Sequence, residues 1–226
     1  MTKNIKRKMT SPQRDVKIFL NMNSSVTSVN LELIRAINRL WGPIYPYLAR
    51  HIHEIYGRED GKVLEIGPFS GVIFALFREG IGSSFSIATF PQGMGDFFRQ
   101  EVRERKMEHK IEIIETDSSL TGVEENRMDL VIFRGAFFFP SLFRVNFSEI
   151  HRVLKPRGIA LTGGGFGKFT PDVLIKDIGK RSRDLNLRIG KIEVKEDQLR
   201  QEIEKSHVKG KAEIILEGGL WVLVRK

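Results

Sequence analysis

From residue 62 to the C-terminus, short apolar runs alternate with longer stretches of helical spacing. Val63-Leu64-Glu65-Ile66 runs into Gly67, and Gly71 opens the apolar stretch Val72-Ile73-Phe74-Ala75-Leu76-Phe77. This predicts a strand over 63–67, a glycine turn and a helix over 71–79. The same reasoning predicts strands over 85–90, 111–117, 129–133 and 159–162, helices over 94–107, 141–154 and 196–206, and a helical region over 171–187. The last two runs, 212–217 and 220–225, are separated by Gly218-Gly219, a hairpin signal. Strand and helix in alternation imply an α/β fold with right-handed crossovers. The expected architecture is a Rossmann-like doubly wound, mainly parallel seven-stranded sheet with an antiparallel C-terminal strand.

Upstream, the spacing of Leu31, Leu33, Ile34, Ile37, Leu40 and Trp41 is helical, with Ser28 as N-cap and Glu32 in the first turn. Pro43 and Pro46 are expected to interrupt this helix before a second, over 47–56, that ends at Gly57. These N-terminal helices would cover one side of the sheet and the ligand mouth. Residues 1–27 read as a basic, loosely ordered tail and 28–226 as a single domain. There is no internal repeat and no low-complexity tract.

Composition narrows the chemistry. The chain has 226 residues and no cysteine, which excludes disulfides, thiolate metal sites and a cysteine nucleophile. No apolar run approaches the roughly 20 residues of a membrane span, and no signal-peptide core follows Lys3, Lys6, Arg7 and Lys8, so a cytoplasmic protein with no membrane partner is expected. A net charge of +9 suits an anionic substrate or partner. Part of that charge lies in the tail and the rest is interspersed with acids, so RNA ranks below a small molecule as partner.

The ordered motifs resemble the class I S-adenosylmethionine-dependent methyltransferases over roughly residues 30–226. The resemblance rests on Glu65-Ile-Gly67-Pro-Phe-Ser-Gly71, Glu115-Thr-Asp117-Ser118, the strand Asp129-Leu-Val-Ile, Glu149-Ile-His-Arg-Val-Leu-Lys-Pro-Arg-Gly158 and the terminal Gly-Gly-Leu-Trp hairpin. It implies S-adenosylmethionine as cofactor and methyl transfer as the reaction. On the matching positions, Glu65 would engage the methionyl ammonium, directly or through water. Gly67, Ser70 and Gly71 would line the carboxylate and ribose side, Asp117 would accept from the adenine amine, and Ser118 would lie beside it. Two positions depart from the family pattern. Phe69 stands where the middle glycine is usual, and the second strand, Ser86-Ile-Ala-Thr-Phe-Pro-Gln92, lacks the acid that holds the ribose. Thr89 or Gln92 would substitute with neutral hydrogen bonds.

Each candidate also has a plainer reading. Glu65 could cap the following helix, and Asp117 could be a turn residue. Arg134, after the fourth strand, could contact donor or acceptor, with Phe137, Phe138 and Phe139 as an apolar wall; alternatively it is a structural ion-pair partner beside packing aromatics. Gly163-Gly164-Gly165 and Gly167 could form an anion-binding nest, a lid hinge or a flexible connection. His51 and His53 lie two apart on a helix and make a poor metal pair, and His109, His151 and His207 offer no general base. No metal site and no catalytic residue is assigned. A sulfonium methyl is already activated, so alignment and water exclusion can suffice. The expected function is methylation of a small-molecule acceptor, anionic or aromatic. An RNA methyltransferase, or a non-catalytic binder of S-adenosylmethionine or a nucleotide, is the alternative. A monomer and a homodimer are equally compatible with the sequence.

Overall fold

The strands of the sheet are β1 (Lys62–Ile66), β2 (Ser84–Thr89), β3 (Ile111–Glu115), β4 (Met128–Arg134), β5 (Leu154–Gly164), β6 (Ala212–Ile215) and β7 (Leu220–Arg225). They lie in the order β3-β2-β1-β4-β5-β7-β6. β1 to β5 pair in parallel, and β7 runs antiparallel to both β5 and β6. The structure is a computed structural model that describes residues 31–208 and 210–226. The proposed tail and the Ser28 cap lie outside the described residues.

Central β4 is buried along its whole length, as a parallel strand covered on both faces must be. Its start is tied to its neighbours by Asp129, whose carboxylate accepts from the Lys62 backbone N–H at 2.8 Å and from Lys155 Nζ at 2.6 Å. The helices are α1 (Leu31–Trp41), α2 (Tyr45–Tyr56), α3 (Val72–Arg78), α4 (Met94–Glu104), α5 (Phe147–Val153), α6 (Asp172–Arg188) and α7 (Glu196–Lys205). α1 packs against α6, and α2 against α3. Among the described residues, no helix is long and apolar enough to cross a membrane.

Three expectations are corrected. The first helix is interrupted at the prolines as expected, but the second starts at Tyr45 rather than at residue 47: Pro43 sits in a 3-10 turn, Gly42–Ile44, and Pro46 in the first turn of α2. A first-turn proline costs no helix hydrogen bond, because its N–H would be unpaired there anyway. The helix expected over 141–154 is confined to Phe147–Val153, where Asn146 caps by accepting from the Glu149 N–H. β5 begins at Leu154 rather than Ile159, because a register shift opposite Met128 and Leu130 accommodates Pro156 and Gly158 within the strand.

Candidate functional site

The turn after β1 is fixed from beneath by Glu65. This side chain is fully buried, and its carboxylate accepts from the backbone N–H groups of Gly71 at 2.8 Å, Val72 at 3.3 Å and Ile73 at 2.9 Å. The helix-capping reading of Glu65 therefore describes its contacts within the protein. Burial pushes its pKa up, while the nearby Arg134 charge and the three N–H groups pull the other way. Gly71 must be glycine because a Cβ there would lie 2.6 Å from the Tyr45 ring. Ser70 donates to the Gly67 carbonyl at 2.8 Å, and Asn38 of α1 reaches down to donate to the Pro68 carbonyl at 2.7 Å.

The remaining candidates line the carboxyl edge of the sheet. Thr89 ends β2, is buried, and its hydroxyl has no partner. Asp117 and Ser118 follow β3 and are exposed. The Asp117 carboxylate accepts from the Ser119 hydroxyl and N–H, which hold its pKa below the usual carboxylate range. Gln92 is exposed. Above these strand ends lies a row of buried rings: Phe139 against Phe69 at 4.5 Å, Phe69 against Phe143 at 6.4 Å, Phe143 against Phe133 at 5.1 Å, and Phe133 against Phe90 at 6.0 Å. Between this row and Ser118 only about 10 Å³ stays open.

Two open spaces flank the turn, one of about 430 Å³ that reaches Ser70 and Gly71 from between α1 and α4, and a larger one next to the row. A cavity of about 670 Å³ is lined by Ile37 and Trp41 of α1, Arg134, Gly135, Phe138 and Phe139 at and beyond the end of β4, Gly164 to Phe166 at the end of β5, and Ser182, Arg183 and Asn186 of α6. Trp41 stacks on Phe166 at 4.8 Å, and the indole N–H of Trp41 is buried without a partner. Arg134 connects this cavity to the glycine turn. It is 6% exposed, and Nη1 donates to the Phe69 carbonyl at 2.8 Å and to the Tyr45 hydroxyl at 2.9 Å. Its guanidinium also lies over the rings of Tyr45, at 4.8 Å, and Trp41, at 5.1 Å. Among the described residues Arg134 has no ion-pair partner, so the structural ion-pair reading does not hold. Of the wall phenylalanines, Phe138 and Phe139 line the cavity, whereas Phe137 packs on Phe147.

The glycines at the end of β5 are held by close packing rather than forming a slack connection. A Cβ on Gly163 would lie 2.2 Å from the Leu220 carbonyl oxygen, and one on Gly165 would lie 2.2 Å from that of Gly218. The backbone there presses against the β6–β7 hairpin. Trp41, Tyr45 and Asn38 were not singled out from sequence. Asn38 carried a signal, a polar residue one position after Ile37 and four after Ile34 on the apolar stripe of a helix. No histidine lines the cavity, and among the described residues no cluster of three His, Cys, Asp or Glu side chains could hold a metal.

Residues 64–162 match a family model described as a methyltransferase domain. A highly reducing polyketide synthase of Penicillium polonicum is 33% identical over 103 residues, 43% of this chain; the chain spans only 4% of that protein's length. Among solved structures, a protein assigned as an S-adenosyl-L-methionine-dependent methyltransferase from Methanococcus maripaludis superposes with a TM-score of 0.72 at 22% identity, covering 91% of this chain and 97% of that one. A SAM-dependent methyltransferase from Aquifex aeolicus gives 0.56 at 14% identity, covering 85% and 96%. Geranyl diphosphate C-methyltransferase from Streptomyces coelicolor, solved with Mg2+, geranyl diphosphate and S-adenosyl-L-homocysteine, gives 0.54 at 14% identity, covering 90% and 85%.

Proposed function

We propose that this chain, whose residues 64–162 match a methyltransferase-domain model, is a class I S-adenosylmethionine-dependent methyltransferase that transfers a methyl group to a small anionic or aromatic acceptor held in the cavity between α1 and α6. S-adenosylmethionine is the methyl donor of the family, and bound, it supplies a methyl group already activated on a sulfonium. The donor's nucleoside end finds suitable chemistry here. The unpartnered Thr89 hydroxyl suits a ribose hydroxyl, and exposed Asp117 and Ser118 suit an adenine amine. Its methionyl end meets Gly67, Ser70 and Gly71, with Phe69 and Phe133 filling the approach. On the other side of the turn, a cavity of about 430 Å³ between α1 and α4 reaches Ser70 and Gly71.

The observation that most supports an anionic or aromatic acceptor is the buried Arg134 guanidinium on the wall of an aromatic-lined cavity. A carboxylate or phosphate would accept from the guanidinium, and an apolar body would lie along Phe138, Phe139 and the Trp41–Phe166 stack. These walls exclude water and fix the acceptor's orientation, which is the protein's main task in methyl transfer.

Calorimetric titration with S-adenosylmethionine, S-adenosylhomocysteine and NAD tests the reading. Micromolar binding of the sulfur ligands alone is expected, weakened at least about fivefold in Thr89→Val, where a hydroxyl able to bond the ribose is replaced by an isosteric methyl. Absence of binding by either sulfur ligand overturns it.

A further inference from the structure

We propose that Arg134 makes the acceptor's negative charge a condition for holding the donor in its sulfonium form, so that the true acceptors are amphipathic anions. This deepens the methyltransferase reading above and rests on it.

Arg134 ends β4 beside the glycine turn and hydrogen-bonds the Phe69 carbonyl within that turn. A guanidinium stays charged at any physiological pH, even when buried. Among the described residues, Arg134 makes no ion pair. The named hydrogen-bond partners are a carbonyl and a phenol, and the faces of Trp41 and Tyr45 supply only cation–π compensation. Glu65 lies near enough to feel the charge, yet its oxygens are bonded to three backbone N–H groups and make no ion pair with Arg134. Among the described residues that line the cavity, Arg183 and Lys191 add further positive charge and Glu193 opposes it. A second cation brought to this turn would be repelled through a medium of low dielectric.

The sulfonium of S-adenosylmethionine is such a cation, whereas the sulfur of S-adenosylhomocysteine is neutral. The two ligands share every other charged group and differ otherwise by one methyl, so the change in their preference when the Arg134 charge is removed isolates the repulsion. An anionic acceptor on Arg134 cancels it, and by linkage the acceptor and the sulfonium then strengthen each other's binding equally. The cavity supplies the rest of the acceptor's description. About 670 Å³ walled by Phe138, Phe139 and the Trp41–Phe166 stack suits an apolar, planar body attached to the anionic group.

The test is calorimetric titration of both sulfur ligands into the wild type and Arg134→Gln, with 2-naphthoate as the anionic probe and 2-naphthamide as its neutral counterpart. In the wild type alone, S-adenosylhomocysteine should bind about tenfold tighter than S-adenosylmethionine, within the usual range for coupled sites. Saturating 2-naphthoate should tighten S-adenosylmethionine about tenfold and leave S-adenosylhomocysteine within twofold, and 2-naphthamide should change neither. In Arg134→Gln the preference should fall below about twofold. The proposal is overturned by equal binding of the two ligands to the wild type, by a preference that survives Arg134→Gln, or by 2-naphthoate leaving S-adenosylmethionine unmoved. The first and third results need no variant, so a misfolded Arg134→Gln cannot shield the proposal. Failure of both sulfur ligands to bind the wild type, with and without 2-naphthoate, removes the methyltransferase reading itself and this proposal with it.

Discussion

Glu65 holds the first turn of α3 against the end of β1, since its enclosed carboxylate meets the N–H groups of Gly71, Val72 and Ile73. Glu65→Ala strands those donors in the interior and should cost roughly 2–4 kcal/mol, read as a shift of the urea unfolding curve. Titration makes a sharper prediction. Burial raises the folded pKa of Glu65 above the unfolded value of about 4.3. The folded chain therefore keeps this proton to higher pH than the unfolded chain does. The resulting stability is fully present below about pH 4 and is lost as pH rises through the folded pKa. Glu65→Gln has no such titration, so its stability relative to wild type should improve between pH 4.5 and 7.5; parallel urea midpoints at the two pH values would refute the raised pKa. Sequence left two roles open for Glu65 because strand, acid and glycine turn look the same whether the acid faces a ligand or the helix end. Which way the carboxylate turns is decided by the backbone of Gly71 to Ile73, and that needs coordinates.

β4 organises the sheet at both of its ends. At its amino end, Asp129 accepts from Lys62 N–H and Lys155 Nζ, and Arg58 lies at 3.6 Å. Burial pushes its pKa up, but the Lys155 and Lys62 hydrogen bonds and the nearby cations outweigh it and hold the group below the ordinary value. Here the sign is reversed relative to Glu65: stability is present above the unfolded pKa of about 3.9 and lost as pH falls through the folded one. Asp129→Asn should therefore cost about 1–3 kcal/mol at pH 7, and the gap should narrow in unfolding curves taken at pH 3. A constant gap would show that the carboxylate's charge is not what ties β1, β4 and β5. Among the elements, alternation and turn signals marked every strand, and the Gly218-Gly219 hairpin ran as read. The stretch 141–146 misled because Leu142, Phe143 and Val145 are apolar at spacings a helix could use, while Phe143 is spent on the aromatic row. Periodicity cannot separate a helix face from an aromatic loop packed under a turn. Pro156 and Gly158 hid the first half of β5 for a similar reason, since a bulge lets a strand carry residues that ordinarily end one.

At the scale of the whole molecule, the site is an interface between distant segments. Arg134 meets Tyr45 across 89 positions and Phe69 across 65, contacts that follow from strand order and not from any local pattern. The order β3-β2-β1-β4-β5 brings Ser118, Thr89, Gly67, Arg134 and Gly164 into sequence along one edge, so the candidates were individually legible and their arrangement was not. The cavity lies where α1 and α6 face each other above this edge, with Ile37 and Trp41 on one wall and Ser182 and Asn186 on the other. α1 is attached to the body through Asn38 on the Pro68 carbonyl and through its packing on α6. An acceptor filling the cavity adds contacts to both helices and scarcely any to the interior of β4 and β1, which is already closed. Amides in α1 and α6 exchange through local openings less costly than global unfolding, and a ligand that binds only the closed form slows them. Saturating 2-naphthoate should thus slow hydrogen exchange about tenfold in 31–41 and 172–188, while Val63–Ile66 and Leu130–Phe133 keep their rates unless global stability also rises. Protection confined to another surface would move the acceptor elsewhere, and uniform protection would mean that the two helices open only with the whole domain.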